Sequence, residues 1–166
     1  PIRDIEVIET ELILADLETV DTALPKAERA AKSRDREAVA RYEVLQKVRP
    51  VLDENKPARV LIEQKAFQDP EHVKALKGLA MLSAKPVLYV CNVDEASAAT
   101  GNKYSQMVEE AGKKEGAGVV VISAKIEAEF AGLSIDERDE FLKDLGLAEA
   151  GLNKLIRAGY ELLGLL

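Results

Sequence analysis

Apolar residues recur at three- and four-residue spacing from the start of the chain: Ile5, Ile8, Leu12 and Ala15, then, after a small slip, Leu17, Val20 and Leu24. That spacing lays one stripe along one side of a 3.6-residue helix, so Ile5 to about Ala31 is predicted to form a long amphipathic helix. Pro25 falls inside it. A proline there removes an amide donor and crowds the preceding turn, which predicts a kink or a break. Ser33 to Asp35 offers N-cap chemistry, and Tyr42, Leu45 and Leu52 with Val44, Val48 and Val51 mark a second helix ending near Asn55-Lys56-Pro57. Two helices joined by a short polar turn make an antiparallel, coiled-coil-like hairpin. Residues 58–84 read as helix in two pieces, interrupted at Asp69-Pro70, with Val73, Leu76, Leu79 and Leu82 on the buried side.

The period then changes. Pro86-Val87-Leu88-Tyr89-Val90-Cys91 is a short apolar run bounded by proline and by Asn92, the pattern of a strand covered on both faces. Ala117 to Ile122 is a second such run, and between them Tyr104, Met107, Val108 and Ala111 mark a helix ending near Gly116. Strand, helix, strand in this order is a βαβ unit with parallel pairing and a right-handed crossover. The remainder reads as helical, anchored by Phe130, Leu133, Phe141, Leu142, Leu145, Leu147, Leu152, Leu155, Ile156, Tyr160 and Leu163, with a C-cap at Asp144 to Leu147 and a restart at Ala148 or Glu149. The fold class is therefore α/β: part of a parallel sheet with flanking helices, plus an antiparallel helical hairpin.

Composition narrows the function classes. With 166 residues the chain can bury a core without disulfide or metal staples. Its one cysteine, Cys91, sits in an apolar strand and reads as a core residue. A net charge of -7 argues against a surface that coats nucleic acid or anionic lipid as a whole. No apolar run is long enough to span a bilayer and Pro1-Ile2-Arg3-Asp4 lacks the plan of a signal peptide, so a cytoplasmic protein without membrane partners is expected. The start on Pro1 and the apolar close at Leu162 to Leu166 read as those of an internal fragment.

Asn92-Val93-Asp94-Glu95 follows the first strand directly, and Ser123-Ala124-Lys125 follows the second. Both lie at carboxyl ends of neighbouring parallel strands, the edge where open α/β sheets bind ligands. An amide, a carboxylate and a loop with backbone donors suit a planar heterocycle: Asn92 can donate and accept at a purine edge, Glu95 can accept from an exocyclic amine, and Ala124 can offer its backbone amide. Taken singly, each motif has a plainer reading, with Asn92 and Asp94 turning the chain, Glu95 solvated and Ser123 capping the next helix. Their occurrence together at matching strand ends favours a shared site.

Asn92-Val93-Asp94-Glu95 resembles the base-recognition motif of P-loop GTPases with Glu for the usual Asp, and Ser123-Ala124-Lys125 resembles their second base-recognition loop. With the stretches Asp4 to Leu12, Ala84 to Val90 and Ile122 to Glu129, the chain is similar from Pro1 to Leu166 to the YchF family, the Obg-like ATPases. The resemblance implies a ribosome-associated nucleotide-binding ATPase or GTPase, with residues 1–66 as a helical hairpin insertion and 67–166 as the C-terminal part of the nucleotide-binding domain. It implies ATP or GTP with Mg²⁺ as cofactors of the intact protein, and Asn92, Val93, Glu95, Ser123, Ala124 and Lys125 as residues around the base. Nowhere in the 166 residues is there a Gly-x-x-x-x-Gly-Lys-Ser/Thr loop or an Asp-x-x-Gly segment, and a following TGS domain is likewise outside them. His72, the one histidine, matches no catalytic motif and reads as a surface helix residue, so no catalytic residue and no metal ligand is assigned.

Guanine offers a carboxylate two adjacent donors, whereas adenine offers one amine beside an unprotonated ring nitrogen. The longer Glu95 side chain misplaces the guanine fork, and Val93 replaces the lysine whose stem packs near the base in the resembling motif. Adenine is expected to be tolerated or preferred. Base readout supplies about 1 to 3 kcal/mol of discrimination, while even a millimolar complex needs about 4 kcal/mol, so this chain alone is expected to bind nucleotide feebly and not to hydrolyse it.

Charge is segregated along the hairpin. Residues 1–24 carry seven acids against Arg3, whereas residues 26–41 carry six bases (Lys26, Arg29, Lys32, Arg34, Arg36, Arg41) against Glu28, Asp35 and Glu37. A basic tip on an acidic rod suits ribosomal RNA or another phosphate backbone; intrahelical ion pairing on a solvated hairpin is the plainer account. The alternative function is accordingly a non-catalytic adaptor that grips the ribosome or RNA through this tip.

Overall fold

The computed structural model describes residues 1–165 and divides into two compact units, Arg3–Lys85 and Pro86 onward with Pro1–Ile2. Packing thus divides the chain at Lys85/Pro86, whereas the domain boundary inferred from sequence lies at 66/67. Leu76, Leu79 and Met81 are the reason: they belong to the same core as the hairpin residues Ile13, Val20, Val44, Leu45, Val48 and Leu52.

The first unit contains α1 (Ile2–Ala31), α2 (Arg36–Asp53), α3 (Arg59–Glu63) and α4 (Pro70–Gly78). The predicted break at Pro25 is absent, and α1 runs on to Ala31. One lost amide donor is a local cost, and Val20 and Ala27, both buried, hold the helix to the core on either side of it. The buried residues of α1 are Ile13, Asp16, Val20 and Ala27; the predicted Val20 is among them and Leu17 and Leu24 pack on the same core, whereas the first half departs from the apolar pattern and Ile8 is 56% exposed. A carboxylate sits in the middle of the core-facing stripe because it is satisfied there. Asp16, 2% exposed, accepts hydrogen bonds from the Leu82 amide (2.8 Å), the Ser83 amide (2.7 Å) and the Ser83 hydroxyl (2.6 Å). The Ser83 hydroxyl in turn accepts from the Ala58 amide at 3.0 Å.

The Asp35 carboxylate caps α2 by accepting from the Ala38 amide at 2.9 Å, and Asp69 caps α4 by accepting from the Glu71 amide at 2.8 Å with Pro70 at the first helical position. The interruption at Asp69-Pro70 is thus a helix start. The second predicted piece is shorter than its apolar pattern: α4 ends at Gly78, Ala80 takes a left-handed conformation (φ 50°), and Leu82 is exposed. The turn carries Leu79 and Met81 into the core instead. His72 is less exposed than a surface position, its ring facing Phe67 and its Nε2 lying 2.6 Å from Glu43 Oε2, which ties α4 to α2.

In the second unit β1 (Leu88–Asn92) pairs in parallel with β2 (Gly118–Ile122), register running from Leu88 opposite Gly118 to Asn92 opposite Ile122. The connection is α5 (Lys103–Glu115), which opens on a capping box between Asn102 and Ser105 and closes on Gly116, whose left-handed φ of 67° a side chain would strain. Gly112 lets α5 lie close to the sheet, since a Cβ there would stand 2.5 Å from Val119 Cγ2. Three helices follow: α6 (Ala124–Phe130), α7 (Ile135–Asp144) and α8 (Gly151–Leu162). Ile126, Phe130 and Ala98 form a small core that Leu133, Phe141, Leu142 and Leu147 join, with Phe130 and Phe141 edge-on at 5.6 Å. The last helix starts later than predicted, at Gly151, and Leu152, Ile156, Tyr160 and Leu163 are outward-facing where the apolar pattern predicts anchors. Cover on both faces of β1 is also incomplete: Val90 is 44% exposed and Cys91 only partly buried. Burial raises the Cys91 thiol pKa, and the nearby Glu109 carboxylate adds to the rise, so the thiol is held in its unreactive form.

Candidate functional site

Parallel pairing places the ends of β1 and β2 side by side, because Asn92 is in register with Ile122 and the Val93 amide continues the ladder by donating to the Ile122 carbonyl at 2.8 Å. The two loops that leave these ends are then tied by side chains. Asn92 Oδ1 accepts from the Ala124 amide at 2.9 Å. Glu95 Oε1 pairs with Lys125 Nζ across the loops. Asp94 shapes the first loop by accepting from the Ser97 amide at 2.8 Å, starting a 3-10 turn over Glu95–Ser97.

Each predicted residue has a definite place. Asn92 and Lys125 are exposed, and Val93 and Glu95 are partly exposed. The Lys125 ammonium is held above the usual lysine pKa range by its hydrogen bond and attraction to Glu95. Ala124 does not offer its amide outward; Asn92 takes it up, leaving the Asn92 amide nitrogen as the outward donor. Ser123 stands at the N-cap position of α6 without capping it. Its hydroxyl, 3% exposed, has no hydrogen-bond partner among the described residues and adjoins a cavity of about 10 Å³ between Ile122, Ile126 and Gly151. What the structure brings together is Asn92, Ala124, Glu95 and Lys125, with Ser123 directed inward beneath them.

Glu127 was not among the sequence-predicted residues. Its Oε1 accepts from the Gly151 amide at 2.6 Å and so fixes the start of α8 beside the second loop. Its spacing from Ser123, an N-cap position followed four residues later by a carboxylate, resembles an ordinary first-turn acid and gave no separate signal. A cavity of about 500 Å³ lined by Phe130, Ile135, Arg138, Leu142 and Leu152 holds none of the predicted site residues. Among the described residues no group of three or more His, Cys, Asp or Glu side chains converges, and no side chain here is assigned to Mg²⁺.

The bases of the hairpin turn lie in the other unit. Lys26, Arg29, Lys32, Arg34 and Arg41 are exposed, whereas Arg36 is paired with Asp69 at 3.4 Å.

Parallel strands with flanking helices, paired loops at their carboxyl ends and an antiparallel helical hairpin define the class: an α/β protein built on part of a P-loop NTPase-like sheet. No family model matches the chain. It is 43% identical over 167 residues to a protein of Bacillus subtilis (strain 168) named ribosome-binding ATPase YchF, and 44% identical over 168 residues to one of the same name from Escherichia coli O157:H7. Each match takes in 99% of this chain and 44% of the relative. The structure of the Schizosaccharomyces pombe YchF GTPase superimposes with a TM-score of 0.79 at 26% identity, over 98% of this chain and 44% of that one. Over nearly its whole length the chain is similar to proteins that carry the YchF name, and it spans less than half the length of the relatives it matches.

Proposed function

We propose that this chain supplies the purine-recognition part of a ribosome-associated nucleotide-binding ATPase or GTPase, in a cytoplasmic setting. The observation that carries the reading is the bridge between the two strand-end loops: Asn92 to the Ala124 amide, and Glu95 to Lys125. The bridge holds an amide donor and a carboxylate on neighbouring strand ends, the arrangement a flat base with donors and acceptors on its rim requires. Asn92 donates to a purine ring nitrogen, Glu95 accepts from the base, and Val93 and Lys125 flank it. Mg²⁺ and phosphate binding are proposed for the rest of the protein, since these 166 residues contain no phosphate-loop motif and no acids converge among the described residues.

Purine preference follows from the ion pair. With Oε1 engaged by Lys125, the Glu95 carboxylate has one oxygen left for a base. Guanine uses two adjacent donors against a carboxylate, whereas adenine needs a single acceptor for its amine, which supports adenine as the tolerated or preferred base. Titration of the full-length protein with ATP and GTP tests this. Glu95→Asp should move the ratio of affinities towards GTP by about tenfold, within the range one base contact commands. An unchanged ratio overturns the preference, and absence of purine nucleotide binding in the wild-type protein overturns the site.

The relatives carry ribosome binding in their names, and that setting is proposed for this chain as well.

A further inference from the structure

We propose that the turn end of the helical hairpin is a docking surface for the phosphate backbone of RNA, formed by Lys26, Arg29, Lys32, Arg34 and Arg41. The ribosomal setting proposed above is the reading on which this rests, and the inference names the chemistry of the contact. In sequence, residues 26–41 mix six bases with three acids, and mutual neutralisation would leave a weak field. The structure partitions them otherwise. Asp35 is committed to capping α2 through the Ala38 amide, and Glu37 pairs outside the turn with Lys74 at 3.4 Å. Arg36, exposed like the other bases, is the one of the six that has an acid beside it, Asp69 at 3.4 Å. What remains is five exposed cations that make no ion pair among the described residues, against the charges of Glu28 and of Asp35, whose capping bond leaves its carboxylate ionised.

The turn that displays them is itself held. The Ser33 hydroxyl donates to the Ala30 carbonyl at 2.8 Å, the Asp35 amide donates to the Ser33 hydroxyl at 3.3 Å, and Arg34 takes the left-handed conformation that reverses the chain. The backbone that carries these side chains is thus ordered before any partner arrives. The array carries no aromatic side chain, so it has nothing on which to stack a base and no amide side chain with which to read one. Its match is a repeating anion, contacted without regard to sequence and driven by release of counterions. The sequence as a whole carries -7, so the turn is a local concentration of positive charge in an otherwise acidic chain.

The test uses the full-length protein, with Arg29→Gln and Arg34→Gln combined, and with Arg36→Gln and Lys113→Gln/Lys114→Gln as separate controls. Co-sedimentation with ribosomes and gel shifts with a structured RNA are followed across a salt series, and thermal unfolding confirms that each variant folds. Support consists of weaker binding by the Arg29/Arg34 variant in both assays, about tenfold or more near physiological salt, with the slope of log affinity against log salt reduced by about 1.5 to 2. Arg36→Gln, removing a charge already paired, should change affinity by less than half the logarithmic effect of the Arg29/Arg34 variant. Ribosome binding untouched by the Arg29/Arg34 change overturns the docking surface while leaving the ribosomal setting intact. A loss seen on ribosomes without any loss on RNA, and with a flat salt response, also overturns it, since the partner is then a protein. If the wild-type protein fails to bind ribosomes, the ribosomal setting falls, and equal RNA binding by wild type and variant then overturns the RNA surface too.

Discussion

The amide oxygen of Asn92 lies 2.9 Å from the backbone nitrogen of Ala124, so the residue after β1 is hydrogen-bonded to the first residue of α6. One side chain therefore has two separable duties: its oxygen ties the loops, and its nitrogen faces outward. Asn92→Asp keeps the acceptor and removes the outward donor. It is expected to leave hydrogen exchange of the Ala124 amide protected while weakening purine nucleotide binding by the full-length protein about fivefold, the worth of one hydrogen bond of about 1 kcal/mol. Asn92→Ala should lose both the affinity and the protection. Equal affinity in wild type and Asn92→Asp would remove Asn92 from the base site.

Asp16 supports the first core through three hydrogen bonds to Leu82 and Ser83. Asp16→Ala strands buried donors at a cost of about 1 to 3 kcal/mol each. Urea denaturation should show the variant destabilised by about 3 kcal/mol or more, whereas the exposed acid Glu18 can be replaced by Ala with a change of about 0.5 kcal/mol or less.

The Glu71 amide holds the Asp69 carboxyl below the usual carboxylate range; burial opposes it, and Arg36 and His72 add to the lowering. A carboxyl depressed in the folded state stabilises fully above its unfolded pKa, near 3.8, and that contribution disappears as pH falls through the lower folded value. The urea midpoint of wild type minus that of Asp69→Asn should therefore be constant from pH 5 to 7 and shrink below about pH 4. A difference that does not vary with pH would show that the cap acts without its charge.

Gly112 is where α5 meets β2, and Gly112→Ala would set a methyl 2.5 Å from Val119 Cγ2 and 3.3 Å from the Ala117 carbonyl. Better helix propensity argues for a gain of about 1 kcal/mol, but overpacking against a strand costs about 1 to 3 kcal/mol. Net destabilisation of the sheet unit is expected in thermal unfolding, and Gly78→Ala, where nothing lies within 4 Å, serves as the comparison.

Much of this architecture was legible in the residues because local chemistry and tertiary packing agree. Asp35 starts α2 where its side chain caps it, Gly116 ends α5, and the apolar runs before Asn92 and Ser123 pair in parallel as their order requires, whereas the caps at Asp69 and Asn102 emerge only in the structure. The first half of the α1 stripe departs from the apolar pattern because Asp16 stands in the core, where the Leu82 and Ser83 amides and the Ser83 hydroxyl, far along the chain, make a carboxylate tolerable. Leu82 misled in the opposite sense: the backbone reversal at Ala80 takes it off the helical period altogether. The convergence of Glu95 and Lys125 was readable from strand order, whereas the capture of the Ala124 amide by Asn92 was not, since it depends on which way one side-chain amide turns.

A sheet of two strands has two outer margins, and each alternates amide and carbonyl groups that point away from the partner strand. Such a margin accepts any extended polypeptide of suitable length, whatever its sequence. Either margin is a template on which a further strand could pair, and the net charge of -7 opposes the approach of a second copy of this chain.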